Sequence, residues 1–345
     1  MTVIDDDVAS IIKACDLKFF KGKDVLITGA SGLIGVYFSA TLEALQSKGV
    51  GPSRIFLSTM SGQFPRPPGN SVEVIEGDLT NISAIAALPN FDVIIHAAGY
   101  AQPYKFLENP LSTLSLNTTV TMCLISKVKP GGRFLFISSS EVYSGLPNPP
   151  FTEDQIGSSN TDHPRSAYIE GKRCGEAITF NANLSQDLTA SSCRLSLAYG
   201  PGTKLGDSRV LNSFIHQALV FRKITLLDSG EAWRTYCYVS DAVGMCLDVL
   251  SDSSGGIYNV AGESRVRIID LAHSVGMLTG AEVIVPIESA AHSLVGSPMD
   301  VWLNTEKALA LRGKKDFVNF QVGLLRTIEW QRMSLGNSMN ENSKF

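Results

Sequence analysis

Hydrophobic positions in the first half of the chain fall into short unbroken runs set between longer amphipathic stretches. Asp24–Thr28, read DVLIT, is such a run, and Arg54–Leu57, Val72–Ile75, Val93–His96 and Phe134–Ser138 repeat it. Runs this short and this apolar predict strands buried on both faces. A glycine-rich turn follows the first run and leads into a helix expected from about Leu33 to Gln46. The other spacings leave room for helical crossovers, and Pro65, Pro67, Pro68 and Gly69 mark a surface loop between two units. Alternation of strand and helix predicts an α/β fold with a doubly wound parallel sheet covered on both faces. Ahead of it, Asp5, Asp6 and Asp7 precede Val8, Ile11, Ile12 and Cys15, the pattern of a short amphipathic helix with acidic residues at its positive end. After Pro147–Pro150 the pattern loosens. A helix is expected from about Ser166 to Asn183 and a strand near Ser192–Leu197. Helices should follow at 210–221, 240–251, 268–279 and 321–333, with short strands near Ile224–Leu227 and Ile257–Val260.

The composition narrows the function classes. A chain of 345 residues with 44% hydrophobic and 18% charged residues is globular and has ample core material. A net charge of -4 without a long basic run points to neither nucleic acid nor membrane as partner. Six cysteines (Cys15, Cys123, Cys174, Cys193, Cys237, Cys246) are scattered without CxxC pairs or nearby histidines, so reduced buried thiols are expected, and no metal. No basic segment followed by an apolar run opens the chain, and no stretch approaches a membrane span, so a soluble cytoplasmic protein is expected.

Chemistry enters at the first turn. Gly29, Gly32 and Gly35 lie between the first strand and its helix. Gly29 suits the tight turn, Gly32 admits a pyrophosphate to the backbone, and Gly35 lets the helix approach the sheet. With Ser31, Leu33 and Ile34 they form a candidate dinucleotide loop, and the fold expected is Rossmann-type. Asp78 and Leu79 follow the third strand, where an aspartate can bond an adenine edge or simply cap the next helix. Ala97 and Ala98 end the fourth strand with small residues, as backbone lying against a cofactor requires. The end of the second strand, Leu57-Ser58-Thr59-Met60, lacks the carboxylate that normally holds the ribose of NAD, and Arg66 lies further on. NAD is the expected cofactor and NADP stays open. Residues 1–20 then read as a helical extension and 21–198 as the dinucleotide-binding domain. The stretch 199–335 reads mainly as a smaller α/β substrate-binding lobe, and 336–345, rich in Ser and Asn, as a disordered tail.

Tyr168 and Lys172 stand four apart on one helix face. A nearby ammonium and a positive nicotinamide would lower the tyrosine pKa, so that its phenolate can take a proton from a sugar hydroxyl. Ser138-Ser139-Ser140-Glu141 at a strand end supplies hydroxyls to hold that sugar. Glu141 is more informative. Oxidation or epimerisation shuttles one proton and needs no carboxylate there, whereas chemistry at the neighbouring carbon does. An exposed strand-end glutamate is the plainer alternative.

From about residue 22 to residue 275 the chain resembles the UDP-glucuronate decarboxylase (UDP-xylose synthase) branch of the extended short-chain dehydrogenases. The matching stretches are Tyr104–Asn117, Ser138–Tyr143, Pro164–Tyr168, Glu170–Arg173, Asp207–Leu211 and Arg234–Val239, beside the GxxGxxG loop. The resemblance implies that Tyr168 and Lys172 run oxidation at carbon 4 while Ser139 holds the hydroxyl. It implies that Glu141, Ser140 and Arg234 serve the carboxylate-bearing carbon, and that Tyr104, Arg165, Arg209 and Arg234 contact a nucleotide-sugar substrate. It also implies a homodimer built on helices near 108–128 and 166–183, with Ile125, Val128, Ala177 and Ile178 either in that contact or facing the sheet. Similar sequences are common in surface-polysaccharide pathways. Two departures bear on the substrate: Leu197 stands where relatives carry an asparagine, and Ser297-Pro298-Met299-Asp300 lacks the arginine they place before a Pro-Asp pair. Oxidative decarboxylation of a UDP-uronic acid is the leading expectation. A 4,6-dehydratase comes second, a 4-epimerase third, and a cofactor-binding regulatory protein is the alternative outside catalysis.

Overall fold

Seven parallel strands form the central sheet. In chain order the first half contains α1 (Val3–Ala14), β1 (Asp24–Thr28), α2 (Leu33–Ser47), β2 (Arg54–Thr59), β3 (Val72–Glu76), α3 (Ile82–Ala86) and β4 (Phe91–His96). It continues with α4 (Pro103–Glu108), α5 (Pro110–Asn117), α6 (Thr119–Ile125), β5 (Val128–Ser139), α7 (Ser166–Ser185) and β6 (Leu188–Leu195). The second half contains β7 (Leu197–Tyr199), α8 (Val210–Phe221), β8 (Lys223–Thr225), β9 (Trp233–Tyr238), α9 (Val239–Ser251) and β10 (Gly256–Val260). It ends with β11 (Ser264–Arg267), α10 (Ile268–Thr279), β12 (Glu282–Ile284), α11 (Glu306–Leu309) and α12 (Phe320–Asn342). This is a computed structural model, and it describes residues 2–185, 187–286, 298–312 and 316–342, with side chains to residue 336.

The sheet order is β3-β2-β1-β4-β5-β6-β10, with every neighbouring pair parallel. The order reverses between β1 and β4, which opens a crevice at their carboxyl ends, the place where doubly wound sheets bind ligands. All five residues of β1 are buried, because helices cover both faces. Three strands in the order β11-β9-β7, and the pair β12-β8, build the smaller lobe with α8, α10 and part of α12. Among the described residues, no helix is long and apolar enough to cross a membrane.

Residues 60–71 join β2 to β3 without a helix, as the surface loop expected from Pro65, Pro67, Pro68 and Gly69. Arg66 Nη1 of that loop bonds Glu43 Oε2 at 3.2 Å, and the Gly69 N–H donates to the same oxygen at 3.0 Å. The chain also recrosses the expected division at 198/199, since α9 and β10 rejoin the first layer and β10 pairs with β6. Every residue of α9 from Val239 to Leu250 is buried, so it is a core helix, apolar enough to lie between the sheet, α1 and α2. The tail expected to be disordered from Gly336 is helical through Asn342, and residues 343–345 lie outside the described residues. The acidic triplet divides its roles. Asp5 and Thr2 cap α1 reciprocally, whereas Asp7 is buried and accepts from Tyr37, Tyr238 and Arg326 at 2.9, 2.8 and 2.9 Å. The N-terminal helix is thereby clamped to α2, β9 and α12.

Helix α7 is tied to the sheet by a buried ion pair. Arg194 of β6 donates from Nε and Nη2 to the Glu176 carboxylate, at 3.1 and 2.8 Å to Oε2, and both side chains are about 3% exposed. The Ser138 hydroxyl donates to the same carboxylate. Removing one partner strands the other charge in a medium that cannot solvate it. Glu176→Ala is therefore expected to destabilise the fold by about 3–5 kcal/mol in urea titrations. A loss below about 1 kcal/mol would show that water reaches Arg194.

Candidate active site

Backbone comes close to backbone at the β1–β4 switch point. Gly29 has φ +65°, and a Cβ there would stand 2.6 Å from the Ala97 carbonyl oxygen. Gly35 lies so close beneath that a Cβ would meet the Gly29 oxygen at 2.3 Å. Gly32 caps α2 without any side chain, which leaves the N–H groups of Leu33 and Ile34 facing the crevice. The loop therefore fits the pyrophosphate of a dinucleotide.

Two residues overlooked in the sequence hold the opposite wall. His96 Nδ1 lies 2.7 Å from the Thr28 hydroxyl and Nε2 lies 3.0 Å from the Leu116 carbonyl. Burial lowers His96 to about 4, so it is neutral, donating from Nε2 and accepting at Nδ1. Thr28 Oγ1 in turn accepts from the Ala98 N–H at 3.2 Å. This relay fixes the turn in which Ala97 and Ala98 approach Gly29. The sequence signal was present, a histidine at a strand end, but its partners lie 68 and 20 residues away. Asp78 is exposed and accepts from the Thr80 N–H at 2.9 Å, while Asn81 occupies the N-cap of α3, so the helix-cap alternative for Asp78 is corrected. The Leu79 side chain packs into the core below the sheet.

The reacting groups meet where β5 runs out beside α7. Lys172 Nζ donates to the Ile137 carbonyl at 2.7 Å and sits 4.8 Å above the Phe136 ring and 5.7 Å from the Tyr168 ring centre. Burial lowers Lys172 to about 7, with Glu176 one turn on acting against that shift. Tyr168 stacks on Phe106 of α4, with ring centres 4.6 Å apart and planes at 13°. Burial raises Tyr168 to about 12; hydrogen bonding to Ser139 opposes the shift and the Glu141 charge adds to it. The lowered tyrosine pKa expected from the lysine is thus not a property of the protein alone. Burial outweighs it.

Glu141 is not a lone carboxylate. It forms a two-pronged ion pair with Arg165, whose Nε donates to Oε2 at 3.0 Å and whose Nη2 bonds Oε1. Arg165 is 4% exposed, and its guanidinium lies 5.1 Å over Phe106, so Glu141, Arg165, Phe106 and Tyr168 form one stack. The Ser139 hydroxyl accepts from the Glu141 N–H at 3.2 Å, and Ser140 begins the same tight turn. Arg234 lies close enough to feel the charges of Glu141, Arg165 and Asp300, and burial lowers its pKa. Asp300 is itself paired with Arg265, which is flanked by Trp233 and Trp302 at 4.7 and 5.3 Å. The segment around Asp300 bridges the lobes: the Trp233 N–H donates to the Met299 carbonyl at 2.8 Å and the Phe151 N–H to that of Trp302 at 2.9 Å. Ser297, in the motif that departs from relatives, lies outside the described residues.

Two expected substrate contacts are placed differently from one another. Arg209 opens α8, forms a two-pronged pair with Asp207, and its charge reaches Tyr168. Tyr104 is 57% exposed and bonds Glu108, because two positions along α4 turn it to the side opposite Phe106. The structure does not bring Tyr104 into the cluster.

A model of the NAD dependent epimerase/dehydratase family matches residues 25–261, and the chain belongs to that family. It is 28% identical to UDP-glucuronic acid decarboxylase 1 of Xenopus tropicalis over 94% of this chain and 76% of that one. It is 28% identical to UDP-glucuronic acid decarboxylase 6 of Arabidopsis thaliana over 92% of each chain. Its fold is similar to that of dTDP-glucose 4,6-dehydratase from Streptomyces venezuelae with NAD bound, with a TM-score of 0.76, 20% identity, and coverage of 91% of this chain and 98% of the other.

Tyr168→Phe is expected to leave dinucleotide binding unchanged and to cut turnover by about 10²–10⁴-fold, the usual effect of losing a positioned acid–base group. Turnover at the native rate would remove Tyr168 from the mechanism.

Proposed function

We propose that this family member oxidises carbon 4 of a UDP-linked uronic acid, releases the carbon-5 carboxylate as carbon dioxide and reduces carbon 4 again, as in UDP-glucuronate to UDP-xylose. One observation carries the reading: Arg165 pairs with Glu141 next to Ser139 and Tyr168, and Arg234 is near enough for its charge to act on both partners. A partly buried cluster with two guanidinium groups and one glutamate suits a substrate that brings a carboxylate of its own.

The chain's residues divide the work. Ser139 holds the carbon-4 hydroxyl, and Tyr168 takes its proton. Lys172, fixed by the Ile137 carbonyl, holds positive charge beside the tyrosine. NAD, when bound, accepts the hydride and later returns it, and the positive charge of its oxidised form favours the phenolate that burial otherwise disfavours. With carbon 4 a ketone, the carboxylate on carbon 5 is β to a carbonyl and leaves as carbon dioxide. Arg234 and Arg165 orient that carboxylate until it leaves. The Ser140 hydroxyl, beside Glu141, gives carbon 5 its new proton and is reprotonated from water. Tyr168 then gives its proton back to the oxygen on carbon 4.

The Glu141–Arg165 pair also favours a second reading. Both oxygens of Glu141 are engaged by Arg165, which fits a purely positional glutamate and a 4-epimerase. Glu141→Gln separates the two. Under the decarboxylase reading the variant still oxidises carbon 4, so reduced nicotinamide absorbance builds up and persists while product formation falls about 10²-fold or more. Product formed at the native rate, with no loss of mass from the sugar, assigns epimerisation.

We propose a homodimer through the outer face of α5, α6 and α7. The apolar residues there are not those expected, since Ile125, Val128 and Ile178 face the sheet. Ala177 is exposed, together with Leu111, Met122, Phe180 and Leu184. The double variant Phe180→Asp, Leu184→Asp is expected to sediment as a folded monomer. A dimer of unchanged affinity would move the interface elsewhere.

A further inference from the structure

We infer that the ribose end of the dinucleotide site accepts a 2′-phosphate, so that this protein binds NADP as well as NAD. The inference rests on the dinucleotide reading above and adds Thr59 and Lys204 to it. An NAD site closes its second strand with a carboxylate that bonds the ribose hydroxyls and repels a phosphate. Here Thr59 closes β2, is 3% exposed, and donates its hydroxyl hydrogen to Ser31 Oγ at 2.9 Å. Ser31 belongs to the glycine loop, so the two hydroxyls line the place where the ribose must lie.

A cation reaches the same place from the other lobe. Lys204 Nζ donates to Ser31 Oγ at 3.3 Å. Its loop is held over α2 by Trp330 of α12, whose Nε1 donates to the Thr203 carbonyl at 3.1 Å, and by Ser208, which bonds Gln102 at 3.3 Å. Lys105 of α4 is near enough for its charge, after burial, to lower the Lys204 pKa. The Lys204 ammonium and two hydroxyls, with no carboxylate bonded to any of them, are a set that a phosphate monoester satisfies. Arg66, the other cation of the loop after β2, is engaged by Glu43 and is not needed here. Asp207, three residues after Lys204, is paired with Arg209, and Glu76 ends β3 beside Thr59. Its carboxylate leans on Gly62, where a Cβ would stand 2.1 Å from Oε1. A carboxylate folded against a glycine leaves the hydroxyl pair open.

The test is direct binding to the full-length protein freed of copurified dinucleotide, titrated with NAD and with NADP by tryptophan fluorescence or calorimetry. NADP is expected to bind with a Kd within about 10-fold of that for NAD. Lys204→Ala, an exposed change, should weaken NADP by about 10-fold and NAD by less than about 2-fold, the scale of one charge-assisted hydrogen bond. Thr59→Asp should weaken NADP selectively by a similar or larger factor, and Lys204→Ala keeps the question answerable if that buried change does not fold. NAD binding about 100-fold tighter than NADP would overturn the inference, and loss of that preference in Glu76→Gln would assign Glu76 as the ribose carboxylate. Equal weakening of both ligands by Lys204→Ala would also overturn it, placing the lysine on the pyrophosphate. Failure of both dinucleotides to bind would instead remove the reading beneath it.

Discussion

The position of the catalytic helix depends on the buried pair between Glu176 and Arg194. Desolvating two charges is costly, and the pair is tolerated only because its remaining donors are satisfied: Arg194 Nη1 also bonds the Tyr143 hydroxyl at 2.8 Å and the carbonyls of Glu153 and Gln155 at 3.1 and 3.0 Å. Tyr143 donates onward to Asn259, whose amide bonds the carbonyls of Phe151 and Asn304 at 2.9 and 2.8 Å. One polar network therefore runs from α7 through the end of β5 to the segment that bridges the lobes. Few alternative packings would satisfy all of these groups at once, so the network sets how Tyr168 and Lys172 face Ser139.

Low dielectric has opposite effects on the two titrating residues. It pushes Tyr168 up to about 12 and Lys172 down to about 7, so burial makes both groups favour their neutral forms. Positive charge brought to this place acts against that preference on the tyrosine and with it on the lysine. The stack Tyr168–Phe106–Arg165–Glu141 ties the tyrosine to the carboxylate, because the guanidinium that holds Glu141 also packs on the ring that stacks on Tyr168.

The two lobes are joined by more than the covalent chain. Helix α9 and strand β10 belong to the first layer although they follow the first strands of the second lobe, and α1 packs with α2 and α9 while Asp7 ties it to α2, β9 and α12. The cofactor crevice thus receives groups from both sides, Ser31 and Thr59 from the first lobe and Lys204 from the second.

What the sequence alone determined is whatever depends on neighbours in the chain. The period of the apolar runs located β1 through β4, α2, α7, α8 and α10 within a few residues, because strand and helix periodicity are local properties. The glycine loop and the Tyr168–Lys172 spacing were legible for the same reason. The limits of local reading appear at Glu141 and Arg165. Both were candidates, in separate roles, yet only the close approach of α7 to the end of β5 makes them a single ion pair. Thr28, Phe106 and Lys204 carry no usable local signal, and His96 at its strand end and Asp300 in its motif carry one that names no partner, since each acquires its role from a group remote in sequence. The assignment of α9 and β10 was beyond local reading as well: an apolar helix and a short apolar strand fit either lobe, and only the free edge of β6 decides which one receives them. Tertiary structure alone decided which charges are buried, which are paired, and what stands at the end of β2. Those outcomes follow from excluding water from groups that the chain brings together only by folding.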